Sequence, residues 1–204
     1  RIMNPHFMFN ALNTVNSFIV EHNSKEATYY VEQFALLIRQ IFESAYQREI
    51  TLEQEAALLS SYLKLEQRRS NNQFQYLIKV DPGLEKFKIP SILVQIFVEN
   101  SVIHGFSDLK TVGALVVVQF LKIKNNVFCI ITDNGIGRAK AKEVLEGKLK
   151  DKKGNVLRSN KRSIHGIDIT LERIRLLNTQ SKGDDITLTI EDITDALTNK
   201  NKGT

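Results

Sequence analysis

Apolar residues recur at helical spacing through the first third of the chain. Leu12, Val15, Phe18 and Ile19 form one such set, and Phe34, Leu37, Ile38, Ile41 and Phe42 form another. A stripe of this period lies along one face of a helix. His22-Asn23-Ser24 interrupts the pattern and marks a first turn. Thr51 followed three residues later by Gln54 resembles a capping box. It predicts a third helical stretch carrying Leu52, Ala56, Leu59, Leu63 and Leu65. Residues 5–70 therefore read as helical. Two long amphipathic helices joined by a short loop cannot bury both faces alone, and self-association into a four-helix bundle is the expected solution.

Near residue 73 the period changes. Phe74, Tyr76, Ile78 and Val80 alternate with Gln75, Leu77 and Lys79 until Asp81-Pro82-Gly83, which predicts a strand and a turn. Pro90 is expected to start a helix containing Ile92, Leu93, Ile96 and Phe97. Strands are predicted at 113–123 and 126–132, joined hairpin-fashion at Lys124-Asn125-Asn126. A helix from about Ile167 to Asn178 and a strand over Ile186–Ile190 come next, then a polar tail from Asn199 that should fray. Helices first and mixed elements afterwards predict an α+β chain. Its expected parts are a helical dimerisation region at 1–71, a domain with helices on one face of a mainly antiparallel sheet at 72–196, and a tail at 197–204.

Composition bounds this picture. The 204 residues, 42% hydrophobic, suffice for one large domain or two small ones. No run approaches the roughly 18 apolar residues of a membrane helix, and a signal peptide is not expected among these residues. Arg1 falls inside an apparent pattern and no Met precedes it, so the expectation is a fragment whose sensor or membrane part lies upstream. The single cysteine, Cys129, excludes an internal disulfide and a multi-cysteine zinc site; it is expected to be a small buried hydrophobe. Net charge is +5, but ten Lys and Arg residues crowd into 138–162 against Glu143, Glu146 and Asp151. Such a cluster attracts polyanions, or is a solvated loop. Neither a helix-turn-helix nor an aromatic RNA-binding motif accompanies it, so nucleic acid is not the expected partner.

Four segments carry candidate chemistry. Asp133-Asn134-Gly135-Ile136-Gly137 ends an apolar strand. Its glycines let backbone approach a ligand, and a strand-end carboxylate can accept from an amino group such as that of adenine. An ordinary turn explains the same residues. Glu99, Asn100 and His104 are polar on an otherwise apolar helix, and the last two share a face. Asn supplies a neutral oxygen suited to Mg²⁺, and His104 can donate to a phosphate oxygen; His104-Gly105 also suits a plain helix end. Gly166, ahead of Thr170, opens a helix whose free N–H groups would welcome an anion. Finally, His6 stands alone in the apolar segment Asn4-Pro5-His6-Phe7-Met8-Phe9-Asn10. Asn4-Pro5 suits an N-cap and first helical position, which puts His6 in the first turn and Asn10 one turn on, on the same face.

Order and spacing say more than any one segment. An Asn-bearing helix, a strand ending in D-x-G-x-G, a basic loop and a glycine-led helix resemble the Bergerat-type ATP-binding fold of histidine kinases. Asn4 to Asn13 resembles the N-P-H-F-L-F-N-x-L-N signature of LytS-type sensor histidine kinases. Tyr62-Leu63-Lys64-Leu65-Glu66-Gln67-Arg68-Arg69 resembles that family's Y-L-x-[IL]-E-x-x-R segment. The likeness runs from Asn4 to about Ile190. Three residues depart from it: Ile103 where Lys is common, Asp168 where a second Gly is common, and Ser70 where Phe is common.

The resemblance implies a dimeric four-helix bundle followed by a Bergerat-type sandwich. It implies ATP-dependent phosphorylation of His6, with Asn10 orienting the ring or the phosphate, and transfer to a response-regulator receiver domain. ATP and Mg²⁺ would be the ligands. Asp133 would read adenine and Asn100 would hold the metal. His104, Gly135, Gly137, Gly166 and Thr170 would complete the nucleotide site. The expected setting is the cytoplasmic side of a membrane protein, reached only through an upstream region. Phe7 stands where many other histidine kinases carry an acid, so a base would come from elsewhere, Glu66 or Glu99. The alternative is a degenerate nucleotide-binding dimerisation module that signals without phosphotransfer.

Overall fold

A computed structural model describes residues 5–106, 113–137, 164–180, 185–194 and 201–203, and for positions 5, 6, 104, 164–168, 180, 193, 194 and 201–203 it describes the backbone alone. The fold is α+β. Its helices and strands run α1 (Pro5–Val20), α2 (Ser24–Ala45), β1 (Glu49–Thr51), α3 (Leu52–Arg69), β2 (Phe74–Val80), β3 (Lys88–Pro90) and α4 (Gln95–Asn100). A π-helical turn over Ser101–Gly105 prolongs α4. Then come β4 (Ala114–Ile123), β5 (Asn126–Asp133), α5 (Ile164–Gln180), β6 (Ile193–Thr194) and β7 (Asn201–Gly203).

Local chemistry fixes the helix starts. Asn23 caps α2, its side chain accepting from the Glu26 N–H at 3.3 Å. Thr51 caps α3 with both bonds of the predicted box: Gln54 N–H donates to Thr51 Oγ1 at 3.2 Å, and Thr51 N–H to Gln54 Oε1 at 2.9 Å. Glu53 and Glu55 in the first turn of α3, and Arg68 and Arg69 in its last, complement the helix dipole. Leu52, Leu58, Leu59, Tyr62, Leu63 and Leu65 of this helix are all buried. Burial on so many sides follows from its place, packed against α2 on one side and β2 on another.

Among the described residues the strands form three sheets, ordered β1-β3, β2-β4-β5 and β6-β7. β1 pairs antiparallel with β3, Ile50 opposite Ile89. In β4, Ala114, Val116, Val118 and Phe120 alternate as a buried face, the period of two that a half-covered strand requires. The chain divides into two compact units, residues 1–93 with 119–129, and 94–118 with 130–204.

Several expectations change. The short strand β1 lies inside the stretch read as helical. Pro90 closes a strand instead of opening a helix: it pairs with Glu49, and α4 begins only at Gln95. Ile92 precedes that helix with φ of 56°, a left-handed conformation unusual for a β-branched residue. Residues 186–190 belong to no strand. Asn178 on α5 instead bonds both backbone groups of Ile186, each at 2.9 Å. Residues 201–203, in the tail expected to fray, pair with β6. Cys129 is exposed, not buried: it lies on β5, an outer strand of its described sheet. Lost hydration, with the Glu55 carboxylate adding to it, pushes its thiol up to about 12.

Candidate functional site

The described candidate residues fall into two groups, one in each compact unit. In the first unit, Pro5 is the first residue of α1 and His6 the second, as the motif predicts. The side chain of His6, and all of Asn4, lie outside the described residues. Phe7 fixes this end of the helix. It is 4% exposed, with its ring centroid 5.2 Å from that of Tyr62 on α3 and 5.8 Å from that of Phe34 on α2. One turn on, Asn10 lines a polar groove of about 330 Å³ with Asn13, Thr14, Arg68, Arg69 and Asn71. The Asn10 carbonyl accepts from Thr14 Oγ1 at 2.9 Å.

Charges meet beneath this groove. Glu66 is 2% exposed and is gripped by Arg69, with Nη2 to Oε2 at 2.6 Å and Nε to Oε2 at 3.1 Å. Burial works to lower the Arg69 pKa, but the bonds and charge of Glu66 outweigh it and leave the guanidinium raised. Tyr30 on α2 is 1% exposed. Burial first, then the Glu66 carboxylate, push its hydroxyl up to about 12 against smaller opposing effects of Thr14 and Arg69. Of the two carboxylates considered as a base, Glu66 is thus held by Arg69, and buried Glu99 accepts from Gln95 Nε2 at 2.9 Å.

In the second unit, the turn after β5 sits on the end of the π-helical turn. Asp133 is 3% exposed, and its Oδ1 accepts from the Gly135 N–H at 2.9 Å. Ile136 N–H donates to the Gly105 carbonyl at 2.9 Å. Approach is so close that a Cβ on Gly135 would fall on the Gly105 carbonyl oxygen, and one on Gly105 would lie 3.1 Å from Asp133 Oδ1. Gly137 adopts φ of 75°, where glycine alone is unstrained. Asn134 ties the turn to β4: its Oδ1 accepts from Leu115 N–H at 2.7 Å and its Nδ2 donates to the Gly113 carbonyl at 2.8 Å.

Asn100 ends α4, and its Nδ2 is buried without a hydrogen-bond partner among the described residues. A buried amide left so is unfavourable by about 1–3 kcal/mol, which a bound ligand or water can relieve. Buried Thr170 lies on α5, which packs against α4. Gly166 is placed by its backbone in the first turn of α5. The side chains of His104 and Asp168 lie outside the described residues, as does all of the basic cluster at 138–162. Among the described residues no group of three His, Cys, Asp or Glu side chains could hold a metal. Sequence reasoning passed over Gly105 and Asn134. Gly105 resembled a helix cap, and Asn134 filled an unspecified place between Asp133 and Gly135.

A strand-end carboxylate seated against an Asn-bearing helix, preceded in the chain by helices that open on Pro5-His6-Phe7, is the arrangement expected of a histidine kinase. Residues 1–74 match the family model described as histidine kinase. The chain is also 33% identical over 136 residues to the sensor protein LytS of Streptococcus agalactiae serotype V, covering 66% of this chain and 23% of that protein. It is 32% identical over 145 residues to the sensor histidine kinase/phosphatase LytS of Staphylococcus aureus strain MRSA252, covering 71% of this chain and 25% of that protein. Together these likenesses support a LytS-type histidine kinase. The chain spans about a quarter of the length of these relatives.

Proposed function

We propose that this chain is the kinase core of a two-component sensor, phosphorylating His6 from ATP and passing the phosphoryl group to a receiver-domain aspartate. The observation that carries the reading is the seating of the Asp133–Gly137 turn on Gly105, which joins the carboxylate turn to the helix of Asn100 within one compact unit. In this reading Asp133 accepts from the amino group of adenine. Gly135 and Gly137 let the backbone approach the nucleotide. His104, Gly166 and Thr170 serve the phosphates, and the Asn100 amide oxygen holds Mg²⁺ beside them. The orphaned Asn100 Nδ2, a donor, fits a site completed by an acceptor such as a phosphate oxygen. Mg²⁺, when bound, neutralises charge on the transferring phosphoryl group.

His6 supplies the nucleophile. A neutral imidazole nitrogen forms the bond to the γ-phosphorus as the bond to the bridging oxygen breaks and ADP leaves. The ordinary imidazole pKa near 6.5 leaves much of it neutral at pH 7.

Dimerisation has its own support. Phe9, Leu12 and Ile19 on α1, and Val31 and Phe42 on α2, are exposed apolar residues at helical spacing. A second copy would cover both stripes in a four-helix bundle. No described helix is long and apolar enough to cross a membrane. The proposed place is the cytoplasmic side of a membrane sensor, joined through other parts of the protein.

Incubation of the full-length protein with γ-labelled ATP and Mg²⁺ tests the reading. The expected result is a label that survives base, is lost in acid and disappears in His6→Gln. Undiminished labelling of His6→Gln would remove His6 from the mechanism. Tight ATP binding without any phosphohistidine would favour a signalling module that binds nucleotide only.

A further inference from the structure

Two segments separated by more than fifty residues meet in the first unit. Tyr62, Glu66 and Arg69 stand at i, i+4 and i+7 on α3 and so share one face. Phe7, the neighbour of His6, lays its buried ring against that of Tyr62 at 5.2 Å, with Phe34 of α2 behind it at 5.8 Å. One turn along α3 comes the Glu66–Arg69 pair, its carboxylate buried and its guanidinium 32% exposed. Arg69 lines the same groove as Asn10 and Thr14, one and two turns beyond His6. Tyr30 of α2 completes this level, buried and within reach of both charges.

The phosphoacceptor helix therefore meets α3 at the Phe7–Tyr62 ring contact, and Arg69 of the same α3 face lines the groove beside its next turn. The ring stack resists rotation of its first turn. We propose that Tyr62 of α3 is a positioning residue for α1, and that its tilted ring contact with Phe7 fixes where His6 is presented. None of these residues touches the reacting atoms in this scheme; they act through the helix that carries His6. The inference rests on the reading of His6 as phosphoacceptor.

The test uses full-length Tyr62→Leu, Tyr62→Phe and Phe7→Leu with two measurements. Hydrogen exchange at the amides of Phe9 to Leu12, the first to be bonded within α1, reports the clamp without any catalysis. Steady-state autophosphorylation separates kcat from KM for ATP. Tyr62→Leu is expected to exchange faster at those amides. Its kcat should fall about 10- to 100-fold, the scale on which small misplacements act, with KM for ATP unchanged. Tyr62→Phe keeps the ring and should recover both properties. Phe7→Leu should repeat the Tyr62→Leu signature without altering α3, which answers the case of a Tyr62→Leu protein that does not fold. Unchanged exchange in Phe7→Leu, or a kcat loss that Tyr62→Phe fails to recover, overturns the inference. A wild-type protein that labels no histidine sinks the kinase reading alone; the exchange comparison then still decides whether α3 holds α1.

Discussion

Gly135 is required by its neighbour and not by its own dihedral angle. A methyl group there would fall on the Gly105 carbonyl oxygen and come within 2.5 Å of the Gly105 Cα. Backbone cannot step aside as a flexible side chain can, so Gly135→Ala should open the turn that holds Asp133. Overpacking of this kind costs about 1–3 kcal/mol, so nucleotide affinity should fall by about tenfold or more in calorimetric titration. Gly105→Ala should do less, because its Cβ meets the Asp133 carboxylate at 3.1 Å, a group able to shift slightly. A Gly105→Ala loss larger than that of Gly135→Ala would contradict this steric ranking. Tyr30 offers a second test. Its hydroxyl is raised to about 12, so the folded state holds the proton more tightly than the unfolded chain does. The associated stability is complete below the ordinary tyrosine value near 10 and is lost as pH rises from there through about 12. Tyr30→Phe should flatten the alkaline limb of the stability profile by about 2–3 kcal/mol across that window, read by urea unfolding.

Elements were legible where their cause is local. The Thr51–Gln54 box is written in two residues and appears with both bonds. Thr51→Ala should lower stability by about 1 kcal/mol, seen as a lower urea midpoint at unchanged slope. The turn at His22–Ser24 and the strand pair around Lys124-Asn125 are local in the same sense. Misreadings arose where the cause lies far along the chain. β1 is three residues long, too short for a period, and exists because Lys88–Pro90 pairs with it. The same pairing makes Pro90 a strand residue, although proline is equally at home at a helix start. Alternation over 186–190 was real, but Asn178 takes up the backbone of Ile186 with its side chain. At the candidate site, Asp133, Gly135 and Gly137 stood out as a carboxylate and two glycines closing an apolar strand, a pattern local to the sequence. The service of Gly105 was not, since it depends on what approaches it from thirty residues away.

At the scale of the molecule, chain order and compactness part ways. The first unit takes in α3 and β2, and regains residues 119–129 after the chain has left it. A cut between residues 71 and 72 would remove α3 from β2 and β1 from β3. A fragment beginning at residue 72 should therefore give a poorly dispersed amide spectrum. One beginning at Gln47 keeps β1, α3 and the bond from Ser91 Oγ to the Gln47 carbonyl at 2.8 Å, and should give a dispersed one. Equal dispersion from both would mean that the strands and helices after residue 72 fold without α3.

The chain contains no tryptophan and five tyrosines. Two of these, Tyr30 and Tyr62, are each 1% exposed where α1, α2 and α3 come together. Their near-ultraviolet circular dichroism and the onset of tyrosinate absorbance are thus native optical reporters of that junction. They require no label and no competing indole signal has to be subtracted, so movement of α1, the proposed phosphoacceptor helix, can be followed in the unmodified protein during a titration with ATP, the proposed ligand.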